Sequence, residues 1–221
     1  MWFSLSKTTK IEKQKAKFLG IVLDNSLTWN SHVDHIVVRL SRVIYLLKRL
    51  MCCVTFEYVR TAYFAFFQSV LRYGLILWGN SRKINEIMVI QKKAIRVMAK
   101  VDNRTHCKPL FIKYRILTVI NLYILDSVNY ILAELPNLSV TNERHGYYTR
   151  TCTSLLLPQN RLAKTNNSHK YMSIKIYNKL SKNGSIKPDK LFKDNVHNFL
   201  LTNTFYSLEE FLEMPNINLK M

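Results

Sequence analysis

The stretch from Thr55 to Lys100 constrains the fold most, because its apolar residues follow helical periods in two different ways. Between Tyr58 and Trp78, apolar side chains occur on nearly every side of a helix, which predicts a buried helix. From Ile84 to Lys100 the pattern is two-faced, with an inner and a basic side. The inner side comprises Ile84, Ile87, Met88, Gln91, Ile95 and Met98, and the basic side comprises Lys92, Lys93, Arg96 and Lys100. A buried helix followed by a cationic one is expected to hold a basic surface rigid.

The whole sequence predicts a mainly α fold, a helical bundle with one short β-strand or hairpin near the N-terminus. It contains five Gly and five Pro, which is too few for a β-rich protein with many tight turns. The apolar, β-branched run Phe18–Asp24 predicts the strand, which either pairs with the lead-in as a hairpin or lacks its partners. Further helices are predicted over 31–51, 116–132, 171–180, 191–200 and 207–212.

The helix predicted over 31–51 carries a second basic face. Its apolar residues repeat at helical spacing, and Arg39, Arg42 and Arg49 share with His35 an arc of roughly 80° on the opposite side. A solvated surface is the ordinary explanation of either basic face alone. Two such faces beside one buried helix favour a binding groove.

The charge of the chain indicates its class of partner. The sequence has 33 Lys and Arg against 14 Asp and Glu, a net charge of +19, and the basic residues are spread along the whole chain. This favours a polyanion, with nucleic acid ahead of a membrane surface. The basic faces lie opposite core faces and do not border an exposed apolar face, so we expect no membrane partner.

The cysteines and the N-terminus indicate an intracellular protein of the nucleus or cytoplasm that is not secreted. No run of about 18 apolar residues occurs, and the first residues lack a secretory pattern. Cys52 and Cys53 are adjacent, while Cys107 and Cys152 lie far apart without a spacing pattern. Free thiols in a reducing compartment are therefore expected.

The sequence offers no active site. It has no Asp-Asp pair for two catalytic metals, no Gly-rich phosphate loop and no nucleophile-like Ser or Cys. His32 and His35 are three residues apart on a helix and could share a metal ion. No Cys or carboxylate with zinc-like spacing joins them, so we expect surface histidines and no metal site.

A series of short motifs follows in fixed order from Lys17 onward. It consists of Phe18-Leu19-Gly20, Leu27-Thr28-Trp29 with His32, Arg60-Thr61-Ala62-Tyr63, Tyr73-Gly74, Leu77-Trp78-Gly79-Asn80, Gln91-Lys92-Lys93-Ala94-Ile95-Arg96, Cys107-Lys108-Pro109-Leu110-Phe111, Tyr148-Thr149-Arg150, Leu157-Pro158 with Arg161, and Tyr171, Lys175 and Tyr177-Asn178-Lys179-Leu180. This series resembles the region after the catalytic palm in reverse transcriptases of non-LTR retrotransposons, especially the jockey-like elements of insects. The resemblance covers nearly the whole chain.

The resemblance implies a position within a polymerase. Phe18, Leu19 and Gly20 are similar to the primer grip, and the helices after them to a thumb that lies along the template–primer duplex. The parent activity is RNA-directed DNA polymerisation, with two magnesium ions held by palm aspartates. The palm and fingers have no counterpart among the matched motifs. The resemblance therefore implies a fragment that binds nucleic acid without catalysis and needs no cofactor of its own, magnesium belonging only to an intact parent polymerase.

Four segments follow from this interpretation. Residues 1–30 are a basic lead-in with a palm-edge strand, 31–136 a thumb-like helical domain, 137–168 a connector, and 169–221 a small helical C-terminal region. The predicted nucleic-acid contacts are Arg39, Arg42, Arg49, Lys92, Lys93, Arg96 and Lys100. Two alternatives stay open. One is a fragment that binds proteins, such as the palm and fingers of an intact polymerase, and the other is a pseudogene product without a selected role.

Overall fold

A β-hairpin comes first in the described part of the chain. The computed structural model describes residues 15–139, 154–181, 190–215 and 217. Strands β1 (Lys15–Phe18) and β2 (Ile21–Asp24) pair antiparallel. Leu19 and Gly20 connect them with φ values of 46° and 81°, as a two-residue type I′ turn requires. The predicted hairpin is confirmed. The prediction of one strand over Phe18–Asp24 is wrong at its start, because the turn interrupts that run.

Helices make up most of the remaining structure, which confirms the mainly α class. They are α1 (Asn30–Cys53), α2 (Phe56–Ala62), a π-helical segment (Tyr63–Gln68), α3 (Ser69–Arg72), α4 (Leu75–Trp78), α5 (Ile84–Ala99), α6 (Lys108–Tyr114), α7 (Val119–Glu134), α8 (His169–Leu180), α9 (Lys190–Thr202) and α10 (Leu208–Glu213). Short 3₁₀ turns cover Leu135–Asn137 and Ala163–Asn167. The helices predicted over 31–51, 84–100, 116–132, 171–180, 191–200 and 207–212 are confirmed to within about three residues, the usual uncertainty of helix ends.

The segment between Tyr58 and Trp78 is not one buried helix, and that prediction is wrong in two respects. The helix breaks at Tyr73 and Gly74, where Gly74 has a φ of 64°. Only one side is buried, since Tyr58, Phe66 and Tyr73 are 70%, 52% and 52% exposed. Apolar residues on every side of a helix predict burial only if neighbouring elements cover every side, and here they cover one. The buried side consists of Val59, Tyr63, Phe67, Leu71, Leu75 and Trp78.

The helix that is buried nearly all round is α7. Every residue from Val119 to Leu125 is buried, and α4, α5, α8 and α9 pack against this helix. Thr118 caps its start, where the hydroxyl accepts a hydrogen bond from the Asn121 amide at 3.1 Å. The close approach of α4 depends on Gly79, because a β-carbon there would overlap with the ring of Tyr123.

Buried apolar side chains from α1 to α10 form one continuous core. In the C-terminal part, Ser207 caps α10, and its hydroxyl accepts a hydrogen bond from the Glu210 amide at 3.1 Å. Leu155 joins this core and exchanges two backbone hydrogen bonds with the Asn178 side chain. The lead-in up to residue 14, the Tyr148-Thr149-Arg150 motif, Cys152, and residues 140–153 of the predicted connector lie outside the described residues.

Candidate nucleic-acid interface

The outer face of α1 carries three exposed guanidinium groups. Arg39, Arg42 and Arg49 are all exposed. On the opposite side, α1 buries Val33, Ile36, Leu40 and Leu47 in the core. Because the inner residues fix the rotation of the helix, the three arginines are held toward solvent together.

This face has no carboxylate of its own. Asp34 is the one acidic residue in α1, and its carboxylate forms an ion pair with Lys83 Nζ at 2.6 Å. Lys83 lies in the loop before α5. The arginines between residues 39 and 49 therefore have no counter-charge within the helix. Like charges gathered on one helix side raise the local positive potential and attract a polyanion.

Tyr45 stands among these arginines and is 62% exposed. Its hydroxyl accepts a hydrogen bond from Arg49 Nε at 3.1 Å, and the Arg49 guanidinium carbon lies 5.5 Å from the ring centre. A shallow hollow beside the ring is lined by Val37, Val38, Ser41, Arg42 and Tyr45. The sequence prediction missed this tyrosine. Its spacing, three residues after Arg42 and four before Arg49, was the available signal.

The four predicted cations of the α5 region divide into two pairs. Lys93 and Lys100 are exposed. Lys92 and Arg96 turn toward the protein, where Lys92 Nζ lies 3.5 Å from the ring centre of Tyr206 and Arg96 Nε donates to the Thr105 carbonyl at 3.0 Å. The two exposed lysines are thus the better placed of the four for contact with a phosphate.

The surroundings of Lys92 also disfavour its protonated form. Burial, followed by repulsion from Arg96 and Lys108, lowers the Lys92 pKa. Burial raises the pKa of Tyr206 to about 12, so its hydroxyl stays neutral. Lys108 in turn pairs with Glu210 at 2.6 Å. This cluster joins α5 and α6 to the C-terminal helices and has a structural role.

Helices α1 and α5 pack directly against each other. The sequence predicted one buried helix beside the two basic faces. Instead, α2, α3 and the π-helical segment pack alongside α1, and the Asp34–Lys83 ion pair links α1 to the start of α5. Two neighbouring helices therefore carry the exposed cations of the candidate interface.

The primer-grip-like residues lie at the tip of the hairpin. Phe18 and Leu19 are 65% and 73% exposed, and Gly20 completes the turn. The hairpin is docked by Tyr73, whose hydroxyl donates to the Leu19 carbonyl at 2.6 Å, and by Gly74, where a β-carbon would come within 3.0 Å of Ile21 Cδ1. The Phe18 and Leu19 side chains thus face outward, while the turn of the hairpin is fixed to the helices.

His32 contradicts the expectation of two surface histidines. It is only 2% exposed, stands edge-on to Trp78, and its Nδ1 accepts a hydrogen bond from the Val22 amide at 3.3 Å. Burial lowers its pKa, as do the charges of His35 and Arg39. Its partner lies ten residues away, on the outer edge of β2, where no sequence period reveals it.

Among the residues that the structure describes, no three His, Cys, Asp or Glu side chains gather as metal ligands. Cys52 and Cys53 are exposed thiols and Cys107 is a buried one. Within the same ranges, no single helix is long and apolar enough to cross a membrane. One helix pair, Lys108–Tyr114 with Val119–Asn137, has the length and composition but is bent by 55°.

Comparison with protein-family models, with curated proteins and with solved structures finds no match.

Proposed function

We propose that this chain binds nucleic acid without preference for base sequence, as a thumb-like part of a non-LTR retrotransposon reverse transcriptase. The observation that carries the proposal is the outer face of α1, where Arg39, Arg42 and Arg49 are exposed. Within α1, no carboxylate comes after Asp34. Lys93 and Lys100 are further exposed cations on the neighbouring α5 region. The chain binds and does not catalyse, because its sequence offers no pair of aspartates for two metal ions.

The type of contact follows from these side chains. Arginine and lysine neutralise phosphates and release the counterions condensed on a nucleic acid, so affinity depends on salt and little on sequence. Side chains that hold phosphates set position and orientation but do not read bases. A rigid helix pair with its cations outward is suited to this task, because folding has already ordered their backbone.

The motifs that resemble the reverse-transcriptase family support a shared architecture more than a shared binding surface. Several of them have structural tasks here. Gly79 allows α4 to approach α7, Gln91 is fully buried, and Arg60 Nε donates to the Tyr114 carbonyl at 3.1 Å. Asn178 holds Leu155 through two hydrogen bonds.

The test measures the affinity of the purified chain for a short labelled duplex by fluorescence anisotropy at several salt concentrations. For about six phosphate contacts, the slope of log affinity against log salt is about −5 on B-form DNA. The double variant Arg42→Glu with Lys93→Glu should weaken binding strongly and reduce that slope by about 2. Duplexes of unrelated sequence should bind equally well.

The matched control is Lys170→Glu with Lys175→Glu, which reverses two exposed lysines of α8. It changes the net charge of the protein by the same amount. If both double variants lose equal affinity, diffuse charge does the binding and the α1–α5 surface is not an interface.

A protein-binding role is the second candidate, and the exposed hairpin tip favours it. Phe18 and Leu19 offer apolar side chains to solvent on an element that the helices hold in place. The partner would be the palm and fingers of a polymerase. Phe18→Asp should abolish association with a separately expressed palm and fingers while leaving duplex affinity unchanged; an unchanged association would exclude the hairpin as the contact.

A further inference from the structure

Tyr45 has no role in the core, yet its side chain is held in place. Its ring is 62% exposed. Arg49 lies one helical turn later and binds the hydroxyl through Nε at 3.1 Å. A tyrosine that is both exposed and ordered loses little conformational freedom when a planar ligand stacks on it.

The neighbours of Tyr45 on the helix surface are cationic or apolar. At ~100° per residue, Val38, Arg49 and Arg42 lie within roughly 60° of it around the axis. Val38 is 51% exposed, and with Arg42 it lines the hollow beside the ring. An aromatic ring, an apolar floor and guanidinium groups at the rim are therefore adjacent on one face.

We propose that Tyr45 is a stacking platform for an unpaired nucleobase, so that the outer face of α1 binds single-stranded nucleic acid, with Arg39, Arg42 and Arg49 on its phosphates. This inference rests on the proposed nucleic-acid binding and specifies its substrate. Stacking on aromatic side chains tolerates any base, because every base has a π-face.

A duplex cannot use this arrangement in the same way. Its bases already stack on one another, so an exposed ring on a helix meets only the sugar–phosphate backbone. A face made for duplex phosphates gains from arginines but gains nothing from an exposed Tyr45 beside an exposed Val38. The charge complementarity of the face favours a nucleic acid over an apolar protein partner.

The experiment compares Tyr45→Leu with the unchanged chain on a single-stranded oligothymidylate and on a duplex, at one salt concentration. Leucine fills the position and keeps it apolar but has no π-face. We expect affinity for the single strand to fall roughly tenfold, as loss of one stacked base predicts, and affinity for the duplex to change by less than about twofold.

Three further variants make the result specific. Tyr45→Phe keeps the ring and loses only the Arg49 hydrogen bond, so it should retain most of the single-strand affinity. Tyr58→Leu alters a tyrosine on α2 that is 70% exposed and should change neither affinity. Arg42→Glu should weaken binding to both ligands. Circular dichroism melts check that each variant is folded.

The outcomes separate the two proposals. If Arg42→Glu weakens binding to both ligands but Tyr45→Leu does not affect the single strand selectively, the stacking proposal is overturned and the proposed function stands. If Arg42→Glu leaves both affinities unchanged, the proposed function itself fails, and the stacking proposal with it. If Tyr45→Leu abolishes self-association in sedimentation and leaves the single-strand affinity intact, the face is a protein contact and the stacking proposal is likewise overturned.

Discussion

Gln91 is fully buried, and each polar atom of its side chain has a partner. Its Nε2 donates to the Tyr63 hydroxyl and to the Leu117 carbonyl, both at 2.9 Å, and its Oε1 accepts from the Val119 amide at 2.8 Å. One side chain of α5 thereby joins the π-helical segment to the start of α7. Buried polar groups are tolerated when they are satisfied in this manner.

Gln91→Leu should destabilise the fold by about 3 kcal/mol, because it leaves the Val119 amide and the Leu117 carbonyl buried without a hydrogen-bond partner. Urea unfolding measures the free energy of unfolding. The matched control is Gln68→Leu in the π-helical segment, whose Oε1 is buried without a hydrogen-bond partner. That variant should be close to neutral. Equal losses from both substitutions would show that the hydrogen bonds of Gln91 do not stabilise the fold.

His32 makes stability depend on pH. Burial lowers its pKa below the ordinary value of 6.5. Between the folded and unfolded pKa values, the unfolded chain binds a proton that the folded chain does not. The free energy of unfolding is therefore undiminished above the unfolded pKa and decreases as pH falls below it. Protonation of Nδ1 would also remove the acceptor of the Val22 amide.

His32→Asn should make stability less sensitive to pH between about 7.5 and 5.5, because asparagine does not titrate there. The free energy of unfolding of the variant and of the unchanged chain is compared at several pH values across this range. His197→Asn replaces an exposed histidine of α9 and controls for the loss of an imidazole. The explanation fails if the His32 variant keeps the full pH dependence.

At the scale of elements, the turn of the hairpin contains a strained backbone position, because leucine occupies a left-handed conformation there. Leu19 has a φ of 46°, in the left-handed region that asparagine adopts more readily than leucine. Its side chain is 73% exposed, and its carbonyl, not its side chain, accepts the Tyr73 hydroxyl. Replacing this side chain therefore removes no buried contact.

Leu19→Asn should stabilise the protein by about 1 kcal/mol, because Asn-Gly is the preferred pair in a type I′ turn. Thermal unfolding measures the gain. Leu162→Asn is the control, since Leu162 is 64% exposed but has a φ of −102°. A rise in Tm for both variants would indicate removal of exposed apolar surface instead of relief of backbone strain.

The helices were predictable from sequence because the apolar residues of α1 and α5 repeat at helical spacing, and α7 is apolar on nearly every side. Which sides of each helix are buried was harder to predict from the sequence. The helix predicted to be buried all round exposes Tyr58 and Tyr73, because burial depends on what packs from elsewhere. The inner residues of α1 predicted its rotation, and the exposure of its arginines agrees with that prediction.

The parts of the site that sequence could not predict depend on distant partners. Lys92 was expected on a basic face but lies against Tyr206, more than a hundred residues later. His32 was expected at the surface but binds the Val22 amide of the hairpin. Tyr45 is different, because its position among the arginines followed from helical spacing alone.

At the scale of the whole molecule, α7 holds the C-terminal helices through hydrogen bonds as well as apolar contacts. Asn121 Nδ2 donates to the Leu200 and Asn203 carbonyls at 2.6 and 2.8 Å, and its Oδ1 accepts from the Phe205 amide at 3.3 Å. Thr118 donates to the Phe205 carbonyl at 2.9 Å. The predicted thumb-like domain and C-terminal region therefore share one core.

A shared core predicts that the chain unfolds in one cooperative step. Trp2, Trp29 and Trp78 all lie in the first part of the sequence, so tryptophan fluorescence reports on that part while circular dichroism reports on all helices. The two thermal transitions should coincide.

Asn121→Leu leaves three backbone groups without a hydrogen-bond partner, which costs about 3 kcal/mol. It should therefore lower both transitions together by roughly 6–12 °C. Asn198→Leu, at an exposed position of α9, should leave them nearly unchanged. If the dichroism transition precedes the fluorescence transition, or if Asn121→Leu shifts only the former, the C-terminal helices are a separate unit and the segments inferred from the sequence are domains in the thermodynamic sense.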